Sequence, residues 1–250
     1  MKKMLCLLAL LAINATSYAS ILFQYDAGVN AQIGATGAAD PTTQGWTKVA
    51  GGGQWNDAFD IGDGGWMIED GTNRATTYYE RTLTSGQQSV MASSWTMTST
   101  FSMLSDLTGQ DGTFLDNWHQ DNNNSSGMGF WIENGSAGYH YWIRFSVDAD
   151  NLFVYDGTNT HQLTTDGSGY DVFKTYTINY DGTDAVLSVD GNDYALDSHG
   201  PGSQDRFIFG LASSTMYGSA VFNEVTVVPE PATIALLVMG GLTAIRRRRS

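Results

Sequence analysis

Residues 94–103 alternate with a period of two over ten positions. Ser94, Thr96, Thr98, Thr100 and Ser102 fall on one side, and Trp95, Met97, Ser99, Phe101 and Met103 on the other. A helix cannot sort side chains in this way, whereas a strand must, because successive side chains point to opposite faces. The pattern predicts a long strand with one wet face and one mostly core face. Tyr141, Ile143, Phe145 and Val147 repeat it within residues 139–147. So do Tyr176, Ile178 and Tyr180 against Thr175, Thr177 and Asn179, followed by Ala185, Leu187 and Val189.

Asp-Gly pairs punctuate these runs, beginning at Asp63, Asp70, Asp111, Asp156, Asp166, Asp181 and Asp190. Both residues tolerate positive φ, so the pairs are expected to form type I′ hairpin turns. Their spacing is too irregular for a calcium-binding repeat. Residues 151–163 then read as a hairpin and 175–196 as a meander. No segment has the pattern of a long amphipathic helix, and most aromatic residues fall on positions assigned to a core face. Dense antiparallel strands with turn signals predict an all-β, two-sheet antiparallel sandwich.

The chain has 250 residues, of which 7 are Trp, 12 Tyr and 11 Phe. That aromatic content excludes a disordered chain and allows one large β domain with its own core. Residues 20–228 hold six basic residues (Lys48, Arg74, Arg81, Arg144, Lys174 and Arg206) against 25 acidic ones, a net charge of −19. Nucleic acid is therefore excluded as a partner, since phosphate binding needs a basic footprint. The only cysteine is Cys6, so neither a disulfide nor a thiolate zinc site is expected in the domain.

The two ends read as sorting signals. Lys2 and Lys3 precede a short apolar run, and Ser17-Tyr18-Ala19 carries small residues where signal peptidase cuts. Residues 1–19 are accordingly expected to be a signal peptide, cleaved before Ser20. At the other end Pro229-Glu230-Pro231 precedes an apolar run of 14 residues, 232–245, and then Arg246, Arg247, Arg248 and Arg249. The run is shorter than the roughly 20 residues of a standard span. The arginines would hold the end in the cytoplasm and extend the span by snorkelling. By spacing alone this is a marginal membrane anchor, a single transmembrane helix.

This tail resembles the PEP-CTERM sorting signal of Gram-negative bacteria, with Pro229-Glu230-Pro231, a short helix containing Gly240-Gly241, and the arginine cluster. The resemblance covers about the last 23 residues. It implies processing by an exosortase, a membrane transpeptidase-like protease, then release to or attachment at the cell surface, often alongside exopolysaccharide and biofilm production. The expected organisation is a signal peptide (1–19), a β-sandwich (20–228) and a motif with short helix and basic tail (229–250).

The stretch 21–228 is similar, in the order of its residues, to the lectin-like domain of some bacterial sialidases, a concanavalin A-like jelly roll. An apolar strand ends at Tyr25-Asp26, followed by Asp40-Pro41, Gln44-Gly45-Trp46 and Trp66. Ser93-Ser94-Trp95, Phe173, Tyr176, Asp190-Gly191, Ile208-Phe209-Gly210 and a closing strand over 220–228 come later. Residues 111–126, rich in Asp and Asn, depart from that pattern like an insert. The sugar contacts of that family do not transfer residue by residue.

No Gly-x-Ser-x-Gly elbow or His-Glu-x-x-His helix occurs, and His119, His140, His161 and His199 are isolated in sequence. The Glu-x-Asp-x-x-Glu pattern typical of concanavalin A-like hydrolases is also absent. Glu133 follows Phe130-Trp131-Ile132 on an apparent strand without an Asp two residues on, and Asp148-x-Asp150 reads as loop. The best ligand-binding candidate is the loop 111–124. There Trp118 sits among Asp111, Asp116, Asn117, Asp121 and Asn122, away from any period-two neighbours. A sugar needs an apolar ring face and polar partners for its hydroxyls, and both are present. Asp111, Asp116 and Asp121 also suit a calcium ion, though no cofactor is required, and a solvated loop over a packed Trp is the remaining reading.

The sequence thus points to an exported, surface-targeted, non-catalytic protein that binds glycan or exopolysaccharide. Its expected partners are signal peptidase, an exosortase, the membrane through the C-terminal helix, and a polysaccharide ligand. Its expected path is an inner-membrane intermediate, then the cell surface or extracellular matrix. A structural matrix or biofilm protein and a polysaccharide-cleaving enzyme are the alternatives.

Overall fold

The computed structural model describes residues 21–28, 37–50, 56–61, 65–70, 77–104, 126–148, 151–164, 171–211 and 218–230. These form β1 (Phe23–Asp26), β2 (Thr47–Ala50), β3 (Asn56–Asp60), β4 (Trp66–Asp70), β5 (Thr77–Thr82), helix α1 (Ser85–Met91), β6 (Trp95–Met103) and β7 (Ser126–Asn134). Then follow β8 (Tyr139–Asp148), β9 (Asn151–Tyr155), β10 (Thr160–Gln162), β11 (Lys174–Tyr180), β12 (Ala185–Val189), β13 (Asn192–Leu196), β14 (Asp205–Leu211) and β15 (Gly218–Pro229). Every described pairing is antiparallel, in two sheets. The eight-stranded sheet runs β13-β12-β11-β6-β15-β4-β3, with β1 beside the second half of β15. The seven-stranded sheet runs β10-β9-β8-β7-β14-β5-β2.

The expected alternation holds on β6: Trp95, Met97, Ser99 and Phe101 are buried while Thr96, Thr98 and Thr100 are partly exposed. Ser99 is a polar residue on the core side because its hydroxyl donates to the Glu224 carbonyl (2.7 Å), where β15 bulges between Phe222 and Glu224. Tyr141, Ile143, Phe145, Tyr176, Ile178, Ala185, Leu187 and Val189 are buried as expected. Between the sheets Phe101 stacks on Tyr176 (centroids 4.4 Å apart) and Phe222 (5.1 Å), and Phe209 stacks on Tyr25 and Tyr79. Trp95 Nε1 donates to Tyr139 Oη (3.0 Å), which donates to the Met91 carbonyl (2.9 Å), tying both sheets to α1.

The turns differ from the simple expectation. Among the described Asp-Gly pairs only Asp190-Gly191 has positive φ at both residues, 51° and 79°, as type I′ requires. At Asp156-Gly157 and Asp181-Gly182 the glycine alone turns left-handed. There the carboxylate accepts from the next backbone N–H groups: Thr158 and Asn159 on Asp156, Thr183 and Asp184 on Asp181. The seven-residue α1 was not expected. Its signal is the capping box Thr84-x-x-Gln87, in which each side chain bonds the other's backbone N–H. Among the described residues no helix is long and apolar enough to cross a membrane; residues 1–20 and 231–250 lie outside them.

Candidate functional site

Asp111, Asp116, Asn117, Trp118, Asp121 and Asn122 lie outside the described residues, as do Pro231 and Arg246, Arg247, Arg248 and Arg249. The segment carrying the loop leaves the eight-stranded sheet after Leu104 and rejoins the fold at Ser126, the first residue of β7. Among the described residues no three His, Cys, Asp or Glu side chains are grouped to hold a metal.

The described residues bring together a different set, on the outer face of the seven-stranded sheet. Tyr141, Ile143 and Phe145 point into the core, so His140, Trp142 and Arg144 point out. The same logic turns Gly129, Trp131 and Glu133 of β7 outward, with Arg206, Ile208 and Gly210 of β14 and Tyr78 and Glu80 of β5. Register aligns them in rows. One row runs Tyr155, Arg144, Gly129, Gly210, Tyr78; the next runs Trp142, Trp131, Ile208, Glu80; a third runs His140, Glu133, Arg206.

In the second and third rows the rings stand on edge and stack. Trp131 lies parallel to His140 (centroids 4.9 Å, 14°), with the Arg206 guanidinium 4.8 Å from its centroid. β8 and β14 flank β7, so these two neighbours occupy opposite sides of the indole. Trp142 packs on Trp131 (5.4 Å) and His199 (5.8 Å), and the Arg144 guanidinium lies 4.0 Å from the Trp142 ring and 4.3 Å from Tyr155. His140 and His199, far apart in sequence, are 5.7 Å apart, so they are not isolated in the fold. With ring faces taken by neighbours and the Tyr155 hydroxyl donated to the Gly157 carbonyl (2.6 Å), this surface offers a ligand mainly ring edges and guanidinium groups. Two buried polar atoms here, Trp131 Nε1 and His140 Nε2, have no hydrogen-bond partner among the described residues. Burial lowers the His140 pKa, and Glu133 only partly opposes it.

The first row contains a gap. Gly129 and Gly210 are paired side by side between Arg144 and Tyr78. A Cβ at Gly129 would lie 2.1 Å from the Ile143 carbonyl oxygen, and Gly210 has φ +113°. Glycine is thus dictated by the backbone at both places. The result is a strip of floor without side chains three inter-strand steps wide from β8 to β5, roughly 14 Å, in which both glycines are themselves buried. Ser126, where the acidic segment rejoins, begins β7 three residues before this floor.

Glu133, the one acid that sequence placed on a strand near this face, is committed elsewhere. Its Oε1 accepts from the Ser203 and Gln204 backbone N–H groups and the Ser203 hydroxyl, and Oε2 faces Arg206 Nε at 3.4 Å. Burial alone would raise its pKa, but those N–H groups, with His140 and Arg206, outweigh it and hold the carboxyl below its usual range. It is a clip for the loop before β14 rather than a proton donor poised near neutral pH. Asp156 does the same at the far edge, accepting from Thr158, Asn159 and Asp197.

No family model and no curated protein matches the chain. Solved structures do. A carbohydrate esterase of the Shiga toxin-encoding bacteriophage phi24B aligns with 84% of this chain and 99% of its own, at 15% identity and a TM-score of 0.54. The binding domain of Botulinum neurotoxin DC aligns with 87% of this chain at 9% identity and a TM-score of 0.48, this chain spanning 51% of that one. An alginate lyase from Corynebacterium sp. aligns with 76% of this chain and 86% of its own, at 14% identity and a TM-score of 0.44. At the esterase's level of identity the likeness is one of fold.

Proposed function

We propose that the chain is an exported, cell-surface-directed, non-catalytic protein whose concanavalin A-like jelly roll binds a polysaccharide on the outer face of the seven-stranded sheet. The observation that carries this is the juxtaposition of the Gly129–Gly210 floor with a wall of stacked Trp131, Trp142, Arg144 and Tyr155. A saccharide chain lying along this floor beside aromatic edges and fixed donors is the ligand such a surface suits. Asp111, Asp116, Asn117, Trp118, Asp121 and Asn122 stay part of the proposal on the strength of their sequence alone. The commitment of Glu133 to backbone N–H groups supports the non-catalytic reading.

The export reading rests on the two terminal signals: signal peptidase cuts before Ser20, and an exosortase processes the tail around Pro229 to Pro231. The test is a polysaccharide panel with the soluble domain, residues 20–230, reading both retention and new chain ends. Retention without turnover is expected. Turnover would make it an enzyme, and no retention across the panel would leave the structural matrix reading.

A further inference from the structure

Part of the Pro229-Glu230-Pro231 motif is folded. Pro229 ends β15 in register with Trp95. The Leu22 N–H donates to the Val227 carbonyl (2.8 Å), so the polar groups of Val227 and, two residues on, Pro229 face β1. The missing N–H of proline thus falls where β6 does not need it. The next N–H, of Glu230, faces β6 and donates to the Ser94 carbonyl at 3.1 Å. The Glu230 carboxylate accepts from the Thr96 hydroxyl, and Thr96 Oγ1 also lies 2.8 Å from Asn179 Oδ1. A hydroxyl has one proton. With it on Glu230, the Asn179 amide turned end for end donates to the same Thr96 oxygen. The motif is thereby held on β6, through Ser94 and Thr96. Only Pro231 separates this rung from the apolar run 232–245.

Proteases commonly take their substrates as extended strands, which requires unpaired residues on both sides of the bond to be cut. Here the upstream side is already paired in a sheet, and the downstream side is apolar. We propose that the closing rung at Pro229 and Glu230, held by Ser94 and Thr96, shields the junction between domain and tail from soluble proteases. Cutting is left to an enzyme that works in the plane of the membrane and meets the tail downstream of the paired rung. The cut itself is amide hydrolysis, with water giving OH to the carbonyl carbon and a proton to the departing amine. This inference rests on the proposed processing of the tail and on the tail being the membrane anchor that its sequence suggests.

The test uses the full chain in lipid vesicles treated with proteinase K, followed by intact mass of anything released. The unmodified protein should stay with the vesicles. A variant with twelve Gly/Ser residues inserted between Glu230 and Pro231 should be released. Thr96→Val should speed release of the otherwise unmodified domain by about tenfold, the factor that goes with one hydrogen bond to a charged group. Release of the unmodified protein as fast as the insertion variant overturns the shielding. Protein absent from the vesicle fraction before proteolysis overturns the anchor reading alone. In that case trimming of the soluble chain that stops at Glu230 or Pro231 supports the shielding, and trimming past Pro229 overturns it.

Discussion

Replacing Glu133 by Gln separates a structural carboxylate from a catalytic one. The wild-type side chain is nearly inaccessible, 4% exposed, and its Oε1 accepts two backbone N–H groups and a hydroxyl, while Oε2 faces Arg206. The amide keeps one oxygen for the N–H groups but turns an NH₂ toward the guanidinium. Hydrogen bonds to charged groups contribute about 1.5–3 kcal/mol each, so losing the charge and one such contact should cost about 2–4 kcal/mol. For a domain of this size that is a fall in Tm of roughly 5–15 °C. Urea unfolding followed by tryptophan fluorescence measures it. The pH dependence gives a second check. The folded carboxyl titrates below its usual value, so its stabilisation is complete above about pH 5 and is lost as pH falls through the folded pKa. The gap between wild type and Glu133→Gln should therefore be constant near neutrality and close in acid. A variant as stable as wild type, or a gap that widens below about pH 4, would refute the clip.

Tyr139→Phe removes the hydroxyl that joins the Trp95 indole to the Met91 carbonyl, leaving both without that partner. It should cost about 2–4 kcal/mol in urea unfolding. Asp156→Ala should cost about 2–4 kcal/mol and accelerate hydrogen exchange at the Thr158, Asn159 and Asp197 amides, which its carboxylate now accepts. The isolated domain, sharing one core between two sheets, should melt in a single transition under reducing conditions as well as oxidising ones; two separated transitions would contradict that.

Strand positions were legible because alternation is enforced by the backbone itself. β6, β8, β9 and the meander β11–β13 lie where Trp95 to Met103, Tyr141 to Phe145 and the Asp-Gly pairs placed them. Short-range turn chemistry was only partly legible, since Asp-Gly serves both a type I′ turn and a carboxylate-anchored one, and the backbone chooses by context. The candidate face escaped for a different reason. Trp131, Trp142 and Tyr155 were given no role of their own, although they occupy the positions between Phe130 and Ile132, Tyr141 and Ile143, or after Val154. Aromatics at the outward positions of alternating strands were the available signal. The meeting of His140 with His199, and of Gly129 with Gly210, depends on strand order across β8, β7 and β14, which no local pattern encodes.

Binding affinities of three forms of the soluble domain for one retained polysaccharide test the central claim most directly. The forms are wild type, Trp142→Ala and Arg144→Met, each first shown to be folded by near-ultraviolet circular dichroism. Trp142 and Arg144 form the wall beside the glycine floor, and their partly exposed side chains bear little of the core. If this face is the binding face, both substitutions weaken binding by tenfold or more, about 1.4 kcal/mol, while Tm moves by only a few degrees. Unchanged affinity in both folded variants would contradict the assignment.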